Sequence, residues 1–435
     1  MNSPTQTTRR HFLKAAAAWA VAPTLIPASA RGAAGRPAPS NRVTCAVLGL
    51  GDRGSQHLGA LCGMGDAQVL AVCDPYRKKG EQWRKGVEEQ YAKGTEAGTY
   101  KGCAADQDFR AIMARPDIDA VVIAAPENWH VLLSLAALRA GKDVYCEKAL
   151  SLTVAEGRAV CAGVRRYGRV FQIGTQQRSE RGFRFACELA RNGYLGAVHT
   201  VNVSVPGGRS LPIAQPATPP PDLDYDLWLG PAPWTPYNDN KCTYNWYFIS
   251  DYCAGWIQSW GVHHIDIALW GQPGLLDSTM ELEGRATFPT EGQANTSIHW
   301  NVQATPKRGP KLVFTDDQTG QHGVRFIGDK GWVHVVRGGI SAGPEELLEV
   351  KLKASDEHLY ESVNHMQNFL DGVRTRRDPV APVESGHAAT TLTLISDIAT
   401  RLQRRLTWDW QTERFANDAA SNALLSRALR TPWAV

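Results

Sequence analysis

Gly49, Gly51 and Gly54 stand in the spacing G-x-G-x-x-G directly after an apolar run, and Asp74 follows twenty residues after the last glycine. Residues of these types at these intervals can cradle a pyrophosphate. The first glycine makes the turn, and the second lets backbone N–H groups come close at a helix N-terminus. The third permits tight helix–strand packing, and the acid takes ribose hydroxyls. Asp52 and Arg53 fill the loop between the glycines. A carboxylate at Asp74 repels the extra phosphate of NADP and so favours NAD, while the nearby Arg77 leaves NADP open.

Two further groups could act on a bound substrate. Lys148 follows the apolar run 143–146 and Glu147, and His130 follows Ala125 and Pro126. Ligands of open α/β sheets bind at the carboxyl ends of strands, which is where these residues fall. A lysine there can polarise an oxygen and stabilise developing negative charge. His263, His264 and Asp266 lie on one short segment. On a helix, His263 and Asp266 share a face and His264 points elsewhere. Removing hydride from an alcohol needs a base for the hydroxyl proton, and histidine titrates in the right range. Between Tyr225 and Trp270 there are six Trp, five Tyr and one Phe. Most of these rings read as packed core. Tyr244, Trp246, Tyr247 and Trp256 are expected to reach a pocket where ring faces meet the C–H faces of a sugar.

The elements that must position these groups alternate as in an α/β fold. Strands are expected over 43–48, 67–73, 118–125 and 143–146. A helix is expected to open at His57, with others over 106–113 and 131–140, and Thr153-x-x-Glu156 caps a further one. The later half changes character. Alternating or β-branched runs occupy 197–205, 278–288, 295–303, 311–315, 324–327 and 332–336, with helical segments over 183–192, 358–374 and 386–403.

Gly49-x-Gly51-x-x-Gly54, Ala125-Pro126-x-x-x-His130 and Glu147-Lys148 together resemble the Gfo/Idh/MocA oxidoreductases, which include glucose–fructose oxidoreductase and inositol dehydrogenase. The segments 174–179, 226–231 and 260–266 extend the resemblance, and the tail 413–433 is similar to exported members. The resemblance implies an α/β protein with two domains. A Rossmann domain over 43–170 binds NAD(P) through Gly49, Gly51, Asp52, Arg53, Gly54, Asp74, Ala125, Pro126, His130, Glu147 and Lys148. An α+β domain over 171–435, with an open, mostly antiparallel sheet, binds substrate and forms a homodimer or homotetramer. Lys148 and His263 would be catalytic. Gln176, Arg178, Ser259, His264 and Asp266 would join the four aromatic residues around a carbohydrate, a cyclitol or a glycoside.

Two positions depart from the family pattern. Its usual Glu-Lys-Pro is Glu-Lys-Ala here, and proline there fixes the backbone that aims the lysine. The acid the family commonly carries four residues before the histidine is Ser259. Either His263 works with a neutral partner, or Asp266 compensates, or ordinary dehydrogenase activity is lost. The resemblance therefore also admits redox-neutral glycoside cleavage by transient oxidation, and a non-catalytic dinucleotide- or sugar-binding role.

The 435 residues suffice for two or three domains, and 43% hydrophobic with 21% charged residues is a globular composition. The formal charge of +4 is concentrated at the N-terminus, because Arg9, Arg10 and Lys14 have no acid within residues 1–30. Nucleic-acid binding is therefore not expected. Thr8-Arg9-Arg10-His11-Phe12-Leu13-Lys14, an apolar stretch and Ala28-Ser29-Ala30 read as a twin-arginine signal over 1–30, followed by a linker over 31–42. That implies export in the folded state to the periplasm with a cofactor already bound, and no membrane association of the mature chain. The nine cysteines include no CxxC and no zinc-like spacing, so no metal site is expected, while Cys242 and Cys253 form a candidate disulfide.

Overall fold

The strand Val43–Leu48 (β1) is apolar and buried at every position but Thr44, as a strand covered on both faces must be. In the computed structural model, which describes residues 41–96 and 98–435, it lies inside a six-stranded sheet. Its neighbours are Ala67–Cys73 (β2), Ala104–Asp106 (β3), Ala120–Ile123 (β4), Asp143–Cys146 (β5) and Phe171–Ile173 (β6). The order is β3-β2-β1-β4-β5-β6, and every pair is parallel. The chain runs outward one way from β1 to β3 and the other way from β4 to β6. A crevice therefore opens at the carboxyl ends of β1 and β4, where loops leave the sheet in opposite directions.

The second sheet has nine strands: Val198–Val205 (β7), Met280–Thr287 (β8), His299–Pro306 (β9), Lys311–Asp316 (β10), Gly323–Gly328 (β11), Gly331–Val336 (β12), Gly339–Gly343 (β13), Leu406–Asp409 (β14) and Arg414–Phe415 (β15). Their order is β13-β12-β11-β7-β10-β9-β8-β14-β15, antiparallel throughout except between β7 and β10. Strand β8 shows why one face stays open. Met280, Leu282 and Gly284 point into the core, while Glu281, Glu283 and Arg285 alternate with them toward solvent. The inward face packs on the helices Arg181–Arg191, Gly261–Gly271 and Val383–Leu402. Gly261–Gly271 is buried on all sides, which explains its apolar character around the whole circumference.

The chain returns late to the first sheet. Met366, Phe369, Leu370 and Val373 of the helix His365–Thr375 join the core beside Val43, Cys45 and Val47. On the other face, Val380, Ala381 and Val383 pack with Phe171 and Ile173, and the Ile173 amide donates to Ala381 O at 3.0 Å. Near the C-terminus, Arg430 donates to Gly230 O at 2.9 Å and Trp433 meets the Trp129 ring edge-on at 4.9 Å.

Several expected boundaries move. The helix expected over 131–140 is Glu127–Arg139, beginning directly after Pro126. The strand expected over 295–303 starts at His299. The helix expected over 358–374 starts only at His365, where the Asn364 side chain caps it by accepting from the Gln367 amide. Upstream, the Leu359 amide is held by Glu188 at 2.9 Å, so that backbone is committed to another partner. All nine cysteines are unpaired, and the expected Cys242–Cys253 disulfide is not formed. Cys253 is buried with its thiol directed at Gly255 O. The twin-arginine signal and residues 31–40 of the linker lie outside the described residues. Among the described residues, no helix is long and apolar enough to cross a membrane.

One buried ion pair ties the turn after β6 to the helix Gly261–Gly271. The Arg178 guanidinium donates twice to Asp266, at 2.7 and 2.8 Å, and once to Val380 O at 3.2 Å. Removing one partner of such a pair leaves an uncompensated buried charge. Arg178→Met should therefore cost about 3–5 kcal/mol, and Arg178→Met/Asp266→Leu should recover most of it. Urea unfolding of the two variants beside the parent measures this.

Candidate active site

At the carboxyl ends of the parallel strands lies a cavity of about 680 Å³, within the range that holds a cofactor-sized ligand. The three glycines of the turn beside it differ in what requires them. Gly49 has φ +86°, and a Cβ there would lie 2.6 Å from Ala124 O. A Cβ on Gly54 would lie 1.8 Å from Gly49 O, so the helix Asp52–Gly63 approaches the turn only because residue 54 has no side chain. Gly54 thus shapes the turn without itself lining the cavity. A Cβ on Gly51 meets no protein atom within 4 Å, and Gly51 offers no side-chain cap to the helix that follows. The space before Gly51 and the helix's free first-turn amides suit an anion, and the fit to a pyrophosphate follows from that cradle. At the end of β2, Asp74 accepts from the amides of Leu50 at 2.8 Å and Tyr76 at 2.9 Å, with Lys79 Nζ at 3.9 Å. Burial pushes its carboxyl above the usual range, against the pull of Lys79 and the two amides.

Beyond β5 the charged groups converge. One oxygen of Glu147 accepts from Arg53 at 3.0 Å and Gln176 at 2.8 Å and lies 2.7 Å from His57 Nε2. Burial alone would raise this carboxyl. The His57 hydrogen bond and the charges of His57, Arg53 and Lys148 hold it well below its ordinary range instead. Lys148 Nζ donates to Ser259 Oγ at 2.8 Å and stands 5.5 Å from the centre of the Tyr247 ring. His263, one helical turn after Ser259, lines the same cavity, with its Nδ1 buried and without a hydrogen-bond partner. Burial, followed by the nearby charges of Lys148 and Arg337, pushes its pKa well below the usual histidine value. The ring is thus neutral near pH 7 and able to accept a proton. Trp246 and Tyr247 stack at 3.8 Å and form part of the wall with Tyr244 and Trp256.

The cavity therefore brings together Gly49, Gly51, Asp52, Arg53, Asp74, Ala125, Pro126, Glu147, Lys148, Gln176, Tyr244, Trp246, Tyr247, Trp256, Ser259 and His263. Besides Gly54, four expected residues lie elsewhere. His130 is buried, with Nδ1 2.6 Å from Ala149 O and Nε2 2.9 Å from Ala125 O, so it braces two loops behind the wall. Arg178 and Asp266 are consumed by their mutual ion pair, and Asp266 cannot stand in for the carboxylate absent at Ser259. His264 does not line the cavity; its Nδ1 lies 3.0 Å from Ser204 O and its ring 4.9 Å from that of His322.

Sequence reasoning missed Tyr76, Lys79, Glu180, Trp260 and Arg337, all of which line the cavity, and His57 beneath it. His57 was legible, because it lies four residues after Arg53 on one helix face. Arg337 sits on the β12–β13 turn, 4.8 Å from the Trp260 ring centre, and no local motif marks it. Arg77, considered beside Asp74, is exposed and does not line the cavity; Lys79 is the cation there.

The family profile for the NAD-binding Rossmann fold of the Gfo/Idh/MocA oxidoreductases matches residues 43–175, and that for their C-terminal alpha/beta domain matches residues 207–435. The chain belongs to this family. A myo-inositol 2-dehydrogenase of Thermotoga maritima is 28% identical over 181 residues, 41% of this chain and 47% of the relative. An alpha-N-acetylgalactosaminidase of Shewanella oneidensis is 30% identical over 165 residues, 34% of this chain and 35% of the relative. The matched segments thus span half or less of these curated relatives. Among solved structures, the WlbA dehydrogenase of Chromobacterium violaceum, in complex with NADH and UDP-GlcNAcA, superposes with a TM-score of 0.60 at 15% identity. The match covers 86% of this chain and 99% of that one. The fold is therefore that of the Gfo/Idh/MocA proteins across both sheets.

The two later glycines give a clean test of the cradle. Gly54→Ala should lower stability by about 1–3 kcal/mol, as overpacking does. Gly51→Ala should leave stability within about 0.5 kcal/mol yet weaken dinucleotide affinity by about tenfold or more. Thermal melts beside isothermal calorimetry with NAD would separate the two effects.

Proposed function

We propose that this protein transfers hydride between a tightly held nicotinamide dinucleotide and a hydroxyl-bearing carbon of a sugar, cyclitol or glycoside. The observation that carries the proposal is that Lys148, Ser259 and His263 line the same cavity as the glycine turn. When bound, the dinucleotide supplies the hydride acceptor. The Lys148 ammonium polarises the substrate oxygen and stabilises the negative charge that develops on it. Ser259 Oγ accepts one Lys148 proton and so aims the ammonium, leaving its other two for the substrate. A ring nitrogen of His263 accepts the hydroxyl proton. With Asp266 held by Arg178, His263 works with a neutral partner in this reading. The stacked Trp246 and Tyr247 offer a face for the carbohydrate ring. Asp74 favours NAD over NADP.

A second reading is redox-neutral glycoside cleavage, favoured by the match to the Shewanella alpha-N-acetylgalactosaminidase. Products separate the two. The first yields a ketone and reduced cofactor from D-glucose or myo-inositol, and the second releases nitrophenol from a nitrophenyl N-acetylgalactosaminide with no net redox change.

The paired arginines Arg9 and Arg10 support export through the twin-arginine machinery to the periplasm, with the cofactor carried in and recycled in place. The open face of the second sheet is the proposed surface for a homodimer or homotetramer. Its Glu281, Glu283 and Arg285 would make that contact a polar one.

Lys148→Ala should abolish turnover while leaving calorimetric dinucleotide affinity within about threefold, because the lysine acts on the reacting oxygen. The pH dependence follows from His263. Its pKa is depressed, so the base form persists to acidic pH, and the acid limb of kcat/KM for oxidation should fall below the free-histidine value of about 6.5. Ser259→Asp places a negative charge beside the ring, raises its pKa and should move that limb to higher pH. An unmoved profile would show that residue 259 does not act on the base.

A further inference from the structure

We infer that Glu127 is a positioning residue for Lys148, doing through a hydrogen bond to the Ala149 amide what a proline ring does at that place in the family's usual Glu-Lys-Pro. The inference rests on the role proposed for Lys148. Ala149 is fully buried and follows the lysine directly. Its N–H donates to Glu127 Oε1 at 3.3 Å, and its carbonyl oxygen lies 2.6 Å from His130 Nδ1. The peptide N–H after Lys148 is thus held by Glu127, and the carbonyl oxygen of the following peptide group by His130. Both gripping groups come from the first turn of the helix Glu127–Arg139.

Two features make this more than a packing contact. Glu127 is 1% exposed, and its second oxygen, Oε2, is buried without a hydrogen bond of regular geometry, the Cys253 thiol being close to the carboxylate. A buried carboxylate oxygen without a regular donor is a cost to folding, so stability alone does not account for a carboxylate here. Second, the bond exists only because residue 149 is not proline, which has no N–H and whose ring would lock φ unaided. With alanine that backbone torsion is free, and the ammonium must still reach Ser259 Oγ at 2.8 Å. Glu127 removes the freedom that the missing ring leaves.

The test uses the dinucleotide-loaded full chain as Glu127→Ala, Glu127→Gln, Ala149→Pro and the double variant Glu127→Ala/Ala149→Pro. Two readouts are taken. One is the acetylation rate of Lys148 by N-hydroxysuccinimidyl acetate, followed by peptide mass spectrometry. The other is kcat and KM with D-glucose and myo-inositol. Glu127→Ala should change Lys148 labelling severalfold and lower kcat by about tenfold to a hundredfold at unchanged KM, as a small misplacement of a reacting group does. Glu127→Gln should restore both, because its amide oxygen accepts the same N–H. In the Ala149→Pro background, Glu127→Ala should have no further effect. Parent-like labelling and kcat in Glu127→Ala would overturn the inference. So would an equal loss in both backgrounds, since that marks a merely structural group. Should Ala149→Pro fail to fold, the contrast between Ala and Gln at 127 decides. Full turnover in Lys148→Ala would defeat the proposed chemistry but leave the labelling result to judge the positioning role on its own.

Discussion

A carboxylate closed off from water has to find its counter-charges inside the protein, and Glu147 finds them on a single oxygen. Arg53 and His57 come from the first helix and Gln176 from the turn after β6, so two separate segments are drawn to the end of β5. Gly174 completes the arrangement from behind, where a Cβ would lie 2.8 Å from that same oxygen. Satisfying one buried charge thus settles the direction of the glycine turn, the position of Gln176 and the place from which Lys148 starts.

From that point the site is completed by the second half of the chain. Ser259 and His263 are carried by helical segments packed in the core of the nine-stranded sheet, so their positions are as rigid as that core. Exchanging a carboxylate for a hydroxyl at 259 changes the electrostatics more than the geometry. The lysine still has an acceptor, and residue 259 adds no charge against its push on the His263 ring; Glu147 opposes that push without cancelling it. The result is a base held neutral by its surroundings.

Much of this was legible in the sequence, for identifiable reasons. The strand–turn–helix–strand–acid order around Gly49 to Asp74 is local and read directly, as were β2 and β5. Lys148, Ser259 and His263 were found because each lies in a short motif. Arg178 and Asp266 also lie in motifs, yet they pair with each other, and nothing in a linear sequence says that two charged residues 88 positions apart will cancel. His130 failed for a related reason: a histidine at a strand's ligand end can as easily bind backbone carbonyls behind the wall as face the cavity. Arg337 could not be found at all, since its place depends on how a distant hairpin is laid against the helix that bears His263.

The late return of the chain to the first sheet bears on how the protein is made. Residues 366–383 fill both faces of a sheet whose first strand begins at Val43, and Trp433 backs the ring of Trp129. The dinucleotide half is therefore not a module closed within its own stretch of chain. Its hydrophobic interior is covered on both faces by residues 366–383, and Trp433 stands behind a ring of its cofactor wall. A fragment ending near residue 175 would carry every glycine of the turn and still lack the floor on which that turn rests.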